Sequence, residues 1–280
     1  CMSYLERKEE LRELIYSSLK KNEGELREQF DGHYEYTATR HFILDDLIPD
    51  ELALEIYRSF PKDTNLYTSK SSFRESKYTF TDFNEEKLPI LAAITDVFHE
   101  EKVLNQIMKI TNLESLEADP SLYAGGLSRM DMGHFNNPHI DNSHNSSRLK
   151  YRRLNLLFYL TPNVSLEDGG SLELWNKDVT LPLKIPARFN RLVVMETTKD
   201  SYHSVDPVLS PISRFCVSNY YFSERSPNGN DYFHVTSFTG RPNQHLRRTW
   251  GKVDNMARNM FVNLFGFSRG KSLARPTKVK

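Results

Sequence analysis

His139 and Asp141 stand two residues apart, His203 follows 62 positions after the aspartate (203 − 141), and Arg214 lies eleven residues beyond that histidine (214 − 203). Two neutral imidazoles and one ionised carboxylate can occupy one face of an octahedral metal and leave three positions open, a ligand set suited to non-haem Fe(II). No thiolate, which would favour zinc, accompanies them. If His139 and Asp141 lie in a strand, alternation points both to one side. An isolated His-x-Asp also arises by chance, and the competing reading is a polar turn over Pro138 to Asn142, which Asn136 and Asn137 favour.

Arg214 opens the run Arg214-Phe215-Cys216-Val217-Ser218. Period two places Arg214, Cys216 and Ser218 on one face and Phe215 and Val217 on the other. A guanidinium is a planar fork that grips a carboxylate in bidentate fashion and never loses its charge. Alone, Arg214 reads as an arginine on an exposed strand face beside a surface acid. Its spacing after His203 turns the reading toward an acidic co-substrate. Tyr159 shares a face with Asn155 and Leu157, where its phenol can meet the far carboxylate of a dicarboxylate or sit in the core with its hydroxyl satisfied. Gly169-Gly170 is a turn feeding Ser171 to Trp175, whose leucines line a pocket or simply pack. His134 and His144 flank the metal pair and are expected at the mouth or on the surface. His99, His234 and His245 fit no pattern. No G-x-G-x-x-G after a strand, no P-loop and no G-x-S-x-G occurs, so flavin, nicotinamide and ATP chemistry have no handle.

The elements that must position these residues change texture along the chain. Residues 4–30 read as a helix with Leu11, Leu14, Ile15 and Leu19 on one face. Phe42 to Leu44 reads as a strand, Pro49 opens a helix carrying Leu52 and Ile56, and the runs Ile90 to Phe98 and Val103 to Met108 keep helical spacing. The first 115 residues are therefore expected to be mostly helical. From Leu122 to Phe222, short β-rich runs alternate with Gly, Pro, Asn and Asp: Leu154 to Leu160, Ser171 to Trp175, Arg191 to Met195 and Arg214 to Phe222. That texture predicts a sandwich or jelly roll. Ser226 to Asn230 is a loop, and Trp250, Val253, Ala257, Met260, Phe261 and Leu264 predict a C-terminal helix before a basic tail. The division expected is a helical support over residues 1–120, a β core over 121–225 and a C-terminal extension over 226–280, together one α+β domain.

With 280 residues the chain can bury one sizeable core. Its 37 basic and 37 acidic residues cancel, so no global field points to nucleic acid or to an anionic membrane. No apolar run approaches the length of a membrane span, and Tyr4 to Glu10 is too charged for a signal peptide. Two cysteines, Cys1 and Cys216, allow one bridge at most, which fits a reducing cytoplasm.

The chain resembles the prolyl-hydroxylase branch of the 2-oxoglutarate/Fe(II) dioxygenase superfamily. The resemblance rests on His139-Ile140-Asp141, Leu156 to Leu160, Gly169 to Leu174, Tyr202-His203-Ser204-Val205 and Arg214 through Phe222, in the family's order and within residues 120–225. It implies a double-stranded β-helix, Fe(II) on His139, Asp141 and His203, and Arg214 with Tyr159 on the C5 carboxylate of 2-oxoglutarate. Leu172, Val205 and Ser218 are expected around that co-substrate. O2 is the oxidant, ascorbate a stimulant, and succinate and CO2 the by-products. The Asp141 ligand favours hydroxylation over halogenation, since related halogenases lack it. Departures are Arg129 and Met130 where peptide-acting members often carry tyrosine, and Arg214 where collagen-type members use lysine. The substrate expected is a small molecule or a peptidyl residue. The alternatives are a non-catalytic jelly roll and a zinc or manganese cupin.

Overall fold

A computed structural model describes residues 3–32, 34–123, 125–244, 255–258 and 260. Five α-helices are defined there: α1 Tyr4–Lys21, α2 Glu23–Asp31, α3 Asp50–Ser59, α4 Pro89–Val97 and α5 Glu101–Thr111. Ser3 and Glu6 close a reciprocal capping box at the start of α1. The single helix expected over 4–30 breaks at Asn22, whose side-chain amide donates to the Ser18 carbonyl at 2.8 Å and competes with the backbone ladder.

Thirteen strands join one curled, antiparallel sheet: β1 His41–Leu44, β2 Thr68–Ser71, β3 Glu75–Phe80, β4 Glu117–Ala118, β5 Gly126–Met130, β6 Phe135–Ile140, β7 Tyr151–Tyr159, β8 Leu172–Trp175, β9 Pro182–Ile185, β10 Arg191–Glu196, β11 His203–Val205, β12 Arg214–Ser223 and β13 Ser237–Phe238. The path runs β1-β10-β7-β12-β5, crosses β3, and continues β6-β11-β8-β9. One buried cluster draws Tyr159, Val193, Met195 and Cys216 from the first row and Leu172, Leu174 and Ile185 from the second, so the two rows face each other as in a jelly roll. The opposite face of the first row (Leu154, Leu156, Phe158, Phe215 and Val217) packs into a larger cluster with Leu11, Ile15 and Leu19 of α1 and Leu91 and Ile94 of α4. Alternation along β7 and β12 thus divides each strand between a helical layer and a cavity.

Two features differ from the sequence expectation, and a third lies mostly beyond what the structure describes. The N-terminal 115 residues hold, besides the strand expected at Phe42 to Leu44, two further strands, β2 and β3, that enter the sheet. Pro138 does not mark a turn: β6 runs through it, and the register with β11 slips between His203↔His139 and Val205↔Asn136. A strand proline is tolerated at such a bulge, where its missing N–H breaks no ladder bond. The predicted C-terminal helix and basic tail fall mostly outside the described residues, within which 255–258 are helical.

Candidate metal centre and co-substrate pocket

The ladder itself assembles the candidate ligands. His139 near the end of β6 lies directly opposite His203 at the start of β11, and their rings stand 4.2 Å apart. Asp141 follows one residue beyond β6. Its Oδ1 is 3.7 Å from Nε2 of His139 and its Oδ2 is 3.4 Å from Nε2 of His203. One donor atom from each of the three residues lies within 4.8 Å of the others, the one such grouping among the described residues.

Backbone carbonyls select the tautomers. Nδ1–H of His139 donates to Asn137 O at 2.8 Å, and Nδ1–H of His203 donates to Ser201 O at 3.0 Å. Each Nε2 is left as a lone pair turned to the aspartate, the arrangement that metal-binding histidines take. Burial, and then the neighbouring His203, push His139 down to about 3, so it is a neutral donor at physiological pH. Burial opposes the Asp141 carboxylate, but the Arg152 guanidinium and the Asn155 amide outweigh it and hold the group ionised. Two imidazoles and a carboxylate make a donor set that fits Fe(II).

The eight sequence-predicted residues His139, Asp141, Tyr159, Leu172, His203, Val205, Arg214 and Ser218 all line one cavity of about 1080 Å³. Arg214 is 4% exposed. Its guanidinium lies 4.7 Å from the Tyr159 ring centroid and its Nη1 donates to the Met130 sulfur at 3.5 Å. Arg214 Nε and the Tyr159 hydroxyl are buried without a hydrogen-bond partner. No carboxylate pairs with Arg214 among the described residues. A buried guanidinium and a buried phenol, both unsatisfied beside one another, are what an entering carboxylate would complete. Gly170 makes room for this: a Cβ there would stand 2.9 Å from Cδ of Arg214, and its φ of +68° suits glycine.

Several lining or supporting residues were not foreseen. Arg152, 1% exposed, reaches Asp141 Oδ2 at 3.3 Å and stacks 4.0 Å from the Tyr220 ring centroid. Strict alternation from Asn155 puts Arg153, not Arg152, on the cavity side. A bulge in β7 opposite Tyr221 and Phe222 inserts one residue and reverses that order. Phe238 of β13 stacks on His139 at 4.9 Å. Lys70, Glu75 and Lys77 of the β2–β3 hairpin also line the cavity. His144 lines it too, as expected for the mouth, whereas His134 packs on Tyr78.

Residues 125–222 match the family model of the 2OG-Fe(II) oxygenase superfamily. Over 187 residues the chain is 29% identical to a prolyl 3-hydroxylase, OGFOD1, of Xenopus laevis, covering 63% of this chain and 33% of the relative. The chain thus spans about a third of the length of that curated relative. Among solved structures, a prolyl 4-hydroxylase from Phytophthora capsici superposes with a TM-score of 0.52 at 18% identity, covering 91% of this chain and 78% of that one, a likeness of fold. The Xenopus relative and the family match agree with the resemblance read from the motifs.

Proposed function

We propose that this chain, whose residues 125–222 carry a 2OG-Fe(II) oxygenase core, hydroxylates an unactivated carbon of a peptidyl proline, consuming O2 and 2-oxoglutarate and releasing succinate and CO2. The observation that carries this reading is the pairing of two features in one cavity. The His139–Asp141–His203 cluster lies at one place on its wall, and the unsatisfied Arg214 and Tyr159 lie at another. Proline is chosen because the 29% identical relative is named a prolyl 3-hydroxylase.

His139, Asp141 and His203 would hold Fe(II), and Arg214 with Tyr159 would hold the C5 carboxylate of 2-oxoglutarate. Bound iron supplies the dioxygen chemistry, coupling decarboxylation of the co-substrate to insertion of one oxygen into a C–H bond. The protein's own work is placement. Arg152 and Asn155 orient the aspartate, and backbone carbonyls fix both imidazole tautomers. Leu172 and Val205, opposite each other in β8 and β11, give the pocket an apolar wall. Ser218 adds a polar point on β12. The two facing rows are read as a double-stranded β-helix, with β3 as an extra strand. No helix among the described residues is long and apolar enough to cross a membrane. Residence in a reducing cytoplasm suits Fe(II) and the free thiol of Cys216.

The test has two stages. Anaerobic addition of Fe(II) and then 2-oxoglutarate gives a weak visible charge-transfer band, and a screen of proline peptides against free amino acids and sugars finds substrate-stimulated succinate. No band with both added, or zinc-dependent turnover without 2-oxoglutarate, overturns the reading.

A further inference from the structure

The chain as a whole is neutral, yet its cavity is not. Six cationic side chains line it against two anionic ones, Glu75 and Asp141. Arg214 is accounted for by the co-substrate and Asp141 by the metal. Arg74 and Arg258 have interactions of their own, which leaves Lys70, Lys77 and Arg148 against Glu75, an excess of two positive charges (3 − 1) among the described residues. Low-dielectric walls lined by one sign of charge focus a field and concentrate ligands of the opposite sign.

The β2–β3 hairpin carries the sharpest part of this excess. Lys70 and Lys77 are direct cross-strand partners, and both line the cavity. Like charges directly opposite destabilise a sheet. One of the two is offset: Lys77 pairs with Glu75 at 2.8 Å. Lys70 makes no hydrogen bond or ion pair among the described residues, and burial followed by Lys77 holds its ammonium below the usual lysine range. From the loop between β6 and β7, Arg148 rests on the Phe233 ring at 4.9 Å, and its Nη2 is buried with no hydrogen-bond partner. Two cations therefore meet the cavity with no direct anionic contact, apart from Arg214, Lys70 interacting with Glu75 and Asp141 only at longer range. The cavity is at the upper end of small-molecule pocket volumes, which run to roughly 1,000 Å³. Beside it, β2 is an edge strand paired with β3 alone among the described strands, a free edge for an extended chain to join.

We infer that the substrate is an acidic peptide segment, with Asp or Glu side chains near the oxidised residue meeting Lys70 and Arg148. This rests on the oxygenase reading but is tested apart from turnover. Labelled proline-centred peptides flanked by Glu, Gln or Lys are titrated, by fluorescence anisotropy, into the full chain alone and into the chain loaded with Mn(II) and 2-oxoglutarate. The Glu peptide binds at least tenfold more tightly than the Gln peptide, and the Lys peptide binds weakest. Lys70→Gln and Arg148→Gln each weaken the Glu peptide about fivefold and reduce its salt dependence. Neither changes the 2-oxoglutarate dissociation constant. Equal binding of the three peptides, a preference for the Lys peptide, or an acidic preference that survives both substitutions overturns the inference. Displacement of the Glu peptide by free L-glutamate at equal concentration also overturns it, in favour of a small acid. Failure to retain 2-oxoglutarate counts against the oxygenase reading instead, and the peptide order on the unloaded chain still decides this one.

Discussion

The side-chain amide of Asn155 donates to Oδ2 of Asp141 at 2.6 Å, from a strand that does not pair with the one preceding the aspartate. With Arg152 on the same oxygen at 3.3 Å, one lobe of the carboxylate is held from within the protein and its direction is set before any metal arrives. Asn155→Ala should weaken Mn(II) or Fe(II) binding by about 10–100-fold, the usual cost of losing a partner behind a metal ligand. Isothermal titration with Mn(II) measures it. An unchanged affinity would mean that Arg152 alone orients Asp141.

His139→Ala, Asp141→Ala and His203→Ala should each abolish metal binding and turnover while keeping the fold, because three donors leave no spare. Circular dichroism checks the fold and Mn(II) titration the metal. Asp141→Gly should open a position for halide, whereas the parent protein should add one oxygen even in high chloride, as mass spectrometry of the product would reveal.

Arg214→Ala should raise the 2-oxoglutarate dissociation constant. A buried charge-assisted pair is worth about 2–5 kcal/mol, or roughly thirtyfold to several-thousandfold. Arg214→Lys should fall between it and the parent, since charge stays and the fork is lost. Tyr159→Phe should weaken 2-oxoglutarate by about two- to tenfold. The same variant should unfold at slightly higher urea in the absence of 2-oxoglutarate, because the Tyr159 hydroxyl is buried without a partner. Weakened metal binding with intact 2-oxoglutarate binding in Arg214→Ala would misplace the co-substrate.

Gly170→Ala combines a left-handed backbone, costing about 1–2 kcal/mol for a residue with a Cβ, with a clash against Cδ of Arg214. Urea unfolding should detect the first effect and a raised KM for 2-oxoglutarate the second. A variant as stable as the parent and with its KM would show that the β8 approach can shift without moving Arg214.

Acid should erode stability through Glu75. Burial opposes its charge, but Lys77 and Lys70 overcome it and lower the group to about 2. A carboxyl depressed from its ordinary 4.5 contributes stability that is complete above about 4.5 and is lost as pH falls toward 2. Glu75→Gln should therefore flatten the acid limb of a stability-against-pH curve over that window. An unchanged limb would place the acid sensitivity in other carboxylates.

Much of the site was legible because alternation and spacing survive folding. Phe215 and Val217 face the helical layer while Arg214, Cys216 and Ser218 face inward, as period two requires. The metal trio was legible because residue type limits what two imidazoles and a carboxylate can do. β3 was not, because Glu75-Ser76-Lys77-Tyr78-Thr79-Phe80 keeps charges on its inner face and carries no apolar stripe. Arg152 was hidden by a bulge that no local signal marks. Phe238 reaches His139 only through a two-residue strand nearly a hundred positions away in sequence (238 − 139 = 99), too short to announce itself.

The position of β3 governs how the chain comes together in time. It pairs with β5 through Tyr78↔Arg129 and with β6 through Glu75↔Asn136, so it stitches the row holding Arg214 to the strand holding His139. Its outermost neighbour in the path on the first row, β1, must wait for β10, with His41 meeting Met195. Such distant pairings close slowly, and their unpaired borders stay open to other chains meanwhile. A fragment begun at residue 121 would keep every expected ligand yet bare the facing borders of β5 and β6. Self-association, rather than catalysis, is what such a fragment should display.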